Sequence, residues 1–382
     1  MAAIRVLQVL TIMDRGGAET MIMNYYRTMD RTKVQFDFLL HRQKRGVFDD
    51  EIERLGGRIH RVSNISFKNL ADYKKSLDAF FKENPEYKII HSHLNALSVF
   101  VLKAAKNNTV PIRIAHSHTS LYNLNLNPFS KNRHSLSFIL RFFAHNYYKI
   151  KVPKYANYYY ACGEKAGIWL YGKKNKSKIT IINNAIDAAQ FTYNSKLSAS
   201  MKTTLGLDDK FVIGHVGNFV PEKNHAFIIN VFNEIQKIEK NAILVLVGGG
   251  NRSNYETLVK ALNLESKVMF LGVRPDVNEI LQAMDVFLFP STNEGLPVTL
   301  IESQASGLKI FASDEISNEL NITGLVDFIA LKKPVTFWAH LILKSKTYHR
   351  KNTKDSIVSG DYDINKNASM LQEFYLKTSK PN

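Results

Sequence analysis

At 382 residues, 45% hydrophobic and 22% charged, the chain holds enough apolar material for two ordinary globular cores, which excludes a disordered or fibrous protein. Its one cysteine, Cys162, cannot close an internal disulfide, so nothing argues for an oxidising compartment and a cytoplasmic location is expected. The formal net charge of +17 calls for an acidic partner, whether nucleic acid, anionic lipid or a phosphorylated substrate. Arg5, Asp14 and Arg15 interrupt any signal-peptide core, and no run reaches the ~18 apolar residues of a spanning helix.

Along the chain, apolar runs of strand length alternate with amphipathic stretches of helix length, the pattern of parallel sheets wound with crossover helices. Ile4–Leu10 reads as a buried strand, residues 11–17 as a loop, 18–29 as a helix and Val34–Leu40 as the next strand. Strands are predicted at 88–90, 112–115, Tyr158–Ala161 and 179–182, with helices over 70–82 and 96–106 between them. The second half repeats the scheme, with strands at Phe211–Val216, 243–247, 268–271, Val286–Phe289 and 309–312. The fold class is therefore α/β, in two Rossmann-like halves. The polar segment 187–207 is expected to link a domain over 1–190 to one over 205–365, and 366–382 holds a final helix at 368–376. Ligands bind beyond the carboxyl ends of parallel strands, so two facing sheets would turn their loops toward a central cleft.

The densest signal lies between Phe289 and Gly307: a strand end, a loop ending in Gly295, Leu296 and Pro297, then a helix. Glu294 and Glu302, with seven residues between them, frame the helix start. Pro297 suits the first helical position, and the amides around it suit a phosphate. A carboxylate at Glu302, inside the helix, can accept hydrogen bonds from a ribose diol, while Glu294 on the loop can meet a sugar. The bland reading is a capped helix with two solvated glutamates.

This segment resembles the paired-glutamate motif of the family-four retaining glycosyltransferases, and the resemblance extends over nearly the whole chain. Gly16 and Gly17, with Ala18 and Glu19, are similar to that family's N-terminal glycine loop. Residues 217–223 resemble its phosphate-binding strand end, and 248–250, centred on Gly249, its second glycine turn. His116-Ser117-His118 and Lys223-Asn224-His225 look like bacterial capsular and exopolysaccharide sugar transferases. The resemblance implies the GT-B fold, two Rossmann-like domains facing a central cleft, with an acceptor-binding N-terminal domain, a nucleotide-sugar-binding C-terminal domain and the final helix packing back on the first. It further implies transfer with retention, from a nucleoside-diphosphate sugar, with UDP the expected donor nucleotide, to a lipid-linked or oligosaccharide acceptor in surface polysaccharide biosynthesis. No cofactor and no metal are implied.

Lys223 suits stabilisation of the charge that develops on a departing diphosphate. The family usually places an arginine a few residues earlier, where this chain has Asn218, which can hydrogen-bond a phosphate but brings no charge. Arg274 is a candidate contact to the base or ribose. His91 and His93, and His116 and His118, cluster at predicted strand ends, a set that could bind metal, although no Cys or carboxylate lies nearby in sequence to complete a site. The family has a donor-sugar histidine here, matched best by His118 with His116 as its rival; His91 and His93 read as structural, bonding strand-end backbone. Asp361-Tyr362-Asp363 is similar to the metal motif of the other glycosyltransferase fold but lies outside a suitable context.

From Leu121 to Ile182, basic residues outnumber the single acid Glu164, and aromatics including Phe129, Phe138, Phe142, Phe143, Tyr147 and Tyr148 are interleaved among them. That composition suits docking on the anionic inner face of a cell membrane. Nucleic acid is the competing partner, and no nucleic-acid motif accompanies the charge. Two other functions share the pattern: a nucleotide-sugar epimerase, and a non-catalytic sugar-nucleotide-binding protein.

Overall fold

A computed structural model describes residues 3–14, 16–65, 69–118, 136–294 and 296–379. The chain forms two compact units, Met1–Ala185 with Ile364–Asn382, and Ile186–Asp363.

The first unit carries seven strands: β1 (Ile4–Leu10), β2 (Val34–Leu40), β3 (Ile59–Arg61), β4 (Ile89–Ser92), β5 (Ile112–Ser117), β6 (Tyr158–Ala161) and β7 (Ile179–Ile181). They pair in parallel in the order β3-β2-β1-β4-β5-β6-β7. On β1, Val6 and Leu10 join one core and Leu7 and Val9 the other, so both faces of the strand are covered. A parallel strand buried on both faces needs an almost unbroken apolar run, and Ile4–Leu10 supplies one. The helix Ile364–Thr378 sets Ile364, Ala368, Leu371 and Tyr375 into the same core as Val6, Phe36 and Phe38, at the spacing of one helical face.

The second unit carries β8 (Phe211–Val216), β9 (Ala242–Val247), β10 (Val268–Gly272), β11 (Val286–Phe289), β12 (Lys309–Ser313) and β13 (Val326–Ile329), all parallel, in the order β10-β9-β8-β11-β12-β13. Its core gathers Phe232, Leu244, Leu288 and Trp338. Each sheet reverses its winding once, between β1 and β4 in the first and between β8 and β11 in the second. The loops leaving those strands at their carboxyl ends therefore flank a switch point, where ligands bind in open parallel sheets.

The segment 187–207, read above as a linker, instead forms the helices Ala188–Phe191 and Ser195–Thr204 within the second unit. Asp187 and Asn194 cap them, and Lys202 pairs with Asp285 at 2.9 Å. The segment looks like a linker because, of Ser195–Thr204, only Met201 is buried. The crossings between units fall instead at 185/186 and 363/364, where Ile186 bridges Asp363 and its amide donates to the Tyr362 carbonyl at 2.9 Å. The Asp361-Tyr362-Asp363 sequence thus sits at a chain crossing.

Candidate active site

In the second unit, the loop after β8 lies against the loop after β9. The Gly217 amide donates to the Val247 carbonyl at 2.8 Å, and Phe219 to Gly249 at 2.7 Å. Gly248 has φ +156°, and a Cβ there would stand 2.0 Å from the Gly217 oxygen, so this crossing admits glycine alone. The Asn218 side-chain oxygen accepts from the Gly249 amide at 3.1 Å. Where the family pattern has an arginine, this chain therefore uses its residue to fasten two glycine loops together.

Lys223 ends a tight turn over Pro221–Lys223. Asn224 follows in the left-handed region, φ 57°, which asparagine tolerates well, and its side-chain Nδ2 donates to the Pro290 carbonyl at 3.2 Å. The Thr292 amide donates to the Glu222 carbonyl at 2.8 Å. These bonds tie the loop after β8 to the loop after β11 and bring Lys223 Nζ within 2.7 Å of Glu294 Oε1, both side chains being 15% exposed. The ammonium also lies 4.8 Å from the centre of the Phe289 ring. A nearly buried cation costs free energy unless an anion or ring faces it. Glu294 and Phe289 meet that need at the switch point of the sheet.

Gly295 lies outside the described residues. Leu296 is buried, and Pro297 stands one position earlier than expected, as the cap of the helix Val298–Ala305, because its ψ of 109° is still extended. Glu302 sits in that helix, half-buried, and burial pushes its carboxyl up to about 7. Arg274 is committed to a two-pronged pair with Asp276, at 2.8 and 2.5 Å.

In the first unit, Gly16 caps the helix Gly17–Thr28 after β1. A Cβ on Gly17 would meet nothing within 4 Å, so the space above this helix start is open. Across the switch point, at the ends of β4 and β5, His91, His93, His116 and His118 stack with ring centres 4.2–5.2 Å apart. Burial holds the first three imidazoles well below their ordinary range and lowers His118 to about 4, which disfavours the imidazolium form in all four.

His91 and His93 do not bond strand-end backbone through their rings, as the sequence suggested. Because β4 and β5 run on to Ser92 and Ser117, the rings face other side chains: His91 contacts Tyr375 Oη at 2.7 Å and His116 at 3.1 Å, and His93 contacts Gln8 at 2.8 Å and His118 at 2.7 Å. His91, His93 and His116 bring one nitrogen each within 4.8 Å of one another, a spacing that a metal ion could bridge. Gln8 and Tyr375 escaped the sequence reading. The available signal was Gln8 inside the otherwise apolar stretch from Val6 to Leu10 of β1, since a buried carboxamide needs partners.

The first unit also holds a cavity of about 570 Å³ lined by Ile65, Leu70, Leu94, Leu97, Phe100 and Tyr148, with Arg42 and His145 among its polar groups. Ala144, His145 and Tyr148 reach it from the helix Leu136–Lys149. Phe143 and Tyr147 of that helix, and Ile150 just beyond it, are exposed at 58%, 56% and 76%, with Lys149, Lys151 and Lys154 alongside. Phe129, and the side chain of Phe138, lie outside the described residues. Among the described residues, no helix is long and apolar enough to cross a membrane.

The family model described as Glycosyltransferase Family 4 matches residues 15–190, and the one described as Glycosyl transferases group 1 matches residues 199–323. EpsF of Bacillus subtilis (strain 168), which is named as a glycosyltransferase, is 35% identical over 379 residues, 97% of this chain and 96% of that protein. The capsular polysaccharide biosynthesis glycosyltransferase CapH of Staphylococcus aureus is 25% identical across 98% of this chain and 99% of its own. An Escherichia coli UDP-Gal:alpha-D-GlcNAc-diphosphoundecaprenol alpha-1,3-galactosyltransferase is 30% identical over 52% of this chain and 54% of its own. The crystal structure of Anabaena Alr3699/HepE in complex with UDP superposes with a TM-score of 0.75 and 19% identity, over 97% of this chain and 99% of that one.

Proposed function

Because the chain belongs to the family-four glycosyltransferases and has their GT-B fold, we propose that it transfers a sugar with retention from a UDP-sugar to a lipid-linked acceptor in bacterial surface polysaccharide biosynthesis. The observation that supports this reading is the Lys223–Glu294 pair, an ammonium and a carboxylate held together beside a helix start. The second unit holds the donor: Lys223 and the glycine loops receive the diphosphate, Glu302 the ribose, and Glu294 the sugar. The first unit holds the acceptor near Gly16 and Gly17, with His118 meeting the sugar. Attack on the face from which the diphosphate leaves, with a diphosphate oxygen taking the acceptor proton, needs no protein nucleophile. The UDP complex of HepE supports the nucleotide, and the diphosphoundecaprenol acceptor in the name of the E. coli relative supports the acceptor class. Family membership favours transfer over the epimerase and binding-protein readings.

The assay is transfer from a panel of UDP-, GDP- and dTDP-sugars to sugar-diphosphate polyisoprenols, run with EDTA. Transfer from a UDP-sugar that survives the chelator is expected, because a lysine and backbone amides stand ready for the diphosphate. Donor turnover without any acceptor into an epimer would contradict the reading, as would complete loss in EDTA with rescue by magnesium or manganese.

A lipid-linked acceptor places the enzyme at a membrane, and the exposed Phe143, Tyr147 and Ile150 among lysines suit docking on its anionic face. Each basic residue near such a surface adds about 1 kcal/mol, screened by salt. Sedimentation with anionic vesicles should be strong at low salt and weak at high salt. Equal binding to neutral and anionic vesicles, or to neither, would remove the assignment.

A further inference from the structure

The four stacked histidines form two hydrogen-bonded chains with a common origin at Gln8. In one, Gln8 Oε1 lies 2.8 Å from His93 Nε2, and His93 Nδ1 lies 2.7 Å from His118 Nε2. In the other, Gln8 Nε2 donates to Tyr375 Oη at 3.5 Å, which lies 2.7 Å from His91 Nδ1, and His91 Nε2 lies 3.1 Å from His116 Nδ1. Both chains end on buried nitrogens with no hydrogen-bond partner among the described residues, His118 Nδ1 and His116 Nε2.

A neutral imidazole carries one N–H and one lone pair, so a chain of neutral imidazoles has a single direction, set where it begins. An amide oxygen only accepts; His93 must therefore donate from Nε2 and accept at Nδ1 from the Nε2–H of His118. That leaves the Nδ1 of His118 as a bare lone pair. On the other chain the Gln8 amide donates to the Tyr375 oxygen, which leaves the phenol hydrogen available to His91 Nδ1. His91 then donates from Nε2 to His116 Nδ1, which leaves the Nε2–H of His116 as a donor. One carboxamide thus polarises the two chains so that one ends in an acceptor and the other in a donor.

We propose that Gln8 is a positioning residue that locks all four histidines as Nε2–H tautomers, so that His118 meets a substrate hydroxyl as a hydrogen-bond acceptor while His116 supplies a donor. The pairing suits a sugar, whose hydroxyls both give and accept hydrogen bonds. The substrate half of this inference rests on the proposed transferase reading; the tautomer half stands on the geometry alone.

The test is long-range ¹H–¹⁵N NMR of the full chain labelled with ¹⁵N-histidine, at pH 7.5, with the four ring systems assigned by single His→Gln variants. All four are expected as Nε2–H tautomers. The reverse pattern of Nδ1–H, an imidazolium at any of the four, or one equivalent of copurifying metal lost in His91→Gln would overturn the proposal. Tyr375→Phe should disturb His91 and His116 and spare His93 and His118, whereas Gln8→Met should disturb both pairs. If Gln8→Met does not fold, the split seen in Tyr375→Phe still decides, and equal disturbance of all four rings there would contradict the two-chain arrangement. In folded Gln8→Met, kcat/KM for the donor should fall about tenfold, the lower end of what losing an outer-shell partner costs at metal-bound histidines, taken as the scale for an orienting partner. Predicted tautomers together with wild-type activity in His118→Ala would leave the relay standing and remove its role in sugar binding.

Discussion

Lys223→Ala is expected to lower kcat by roughly a hundred- to a thousandfold, the scale for removing one preorganised electrostatic group from a site where charge develops. On the proposed role, the leaving diphosphate gains negative charge as the bond to the sugar breaks, so the ammonium would interact more strongly in the transition state than in the ground state. Such an interaction is felt in the chemical step. The geometry adds a reason for so large an effect: Lys223 is held by Glu294 at 2.7 Å and by the face of Phe289, and both loops are pinned by Asn224 and Thr292. The cation is therefore fixed before the donor arrives and spends little on reorganisation. Lys223→Arg keeps the charge but changes its shape, and an intermediate rate is expected. Steady-state kinetics at saturating acceptor read the effect, and a wild-type kcat in Lys223→Ala would show the residue to be misassigned.

Glu302→Ala is expected to fail differently, raising the donor KM by roughly ten- to a hundredfold, the worth of hydrogen bonds to a charged group, with a smaller effect on kcat. On the proposed role, a ribose diol would donate to the carboxylate equally in ground and transition states, so its loss would weaken uniform binding. Because burial pushes this carboxyl up to about 7, the carboxylate that the diol needs is itself lost as pH falls through that value. Calorimetry with an intact nucleotide sugar should therefore show affinity weakening below about pH 7, and Glu302→Gln should bind weakly at every pH. Stability moves the other way. With the folded value raised above the ordinary 4.5, the contribution is fully present below 4.5 and is lost as pH rises through about 7. Glu302→Gln should accordingly unfold at a higher temperature than wild type at pH 8. An unchanged donor KM in Glu302→Ala, or a pH-independent donor affinity in the wild type, would contradict the ribose role.

The strands best legible in the sequence were those buried on both faces. Ile4–Leu10, Val34–Leu40, Phe211–Val216 and Val286–Phe289 agree residue for residue because each is a mainly apolar run of strand length, as a strand covered on both faces requires. Ile59–Arg61 and Val326–Ile329 were passed over: each is short and stands at a sheet edge, so burial leaves little mark on its sequence. The helices over 187–207 were missed for the opposite reason, since Ser and Thr on their exposed sides read as a linker while Asp187 and Asn194 were not taken as caps. In the candidate site, the glycine loops and the paired glutamates were visible as local motifs. The Lys223–Glu294 pair was not, because it depends on two loops that meet only through the order of β8 and β11. The links from His91 to Tyr375 and from His93 to Gln8 join positions 284 and 85 residues apart, which local spacing does not report.

The central claim is transfer with retention from a nucleoside-diphosphate sugar, and the anomeric configuration of the product tests it most directly. The full chain, given an α-linked UDP-sugar with a ¹³C label at the anomeric carbon and a sugar-diphosphate polyisoprenol, should yield a new glycosidic linkage whose one-bond C–H coupling is that of an α-anomer. A β-linked product would contradict the account.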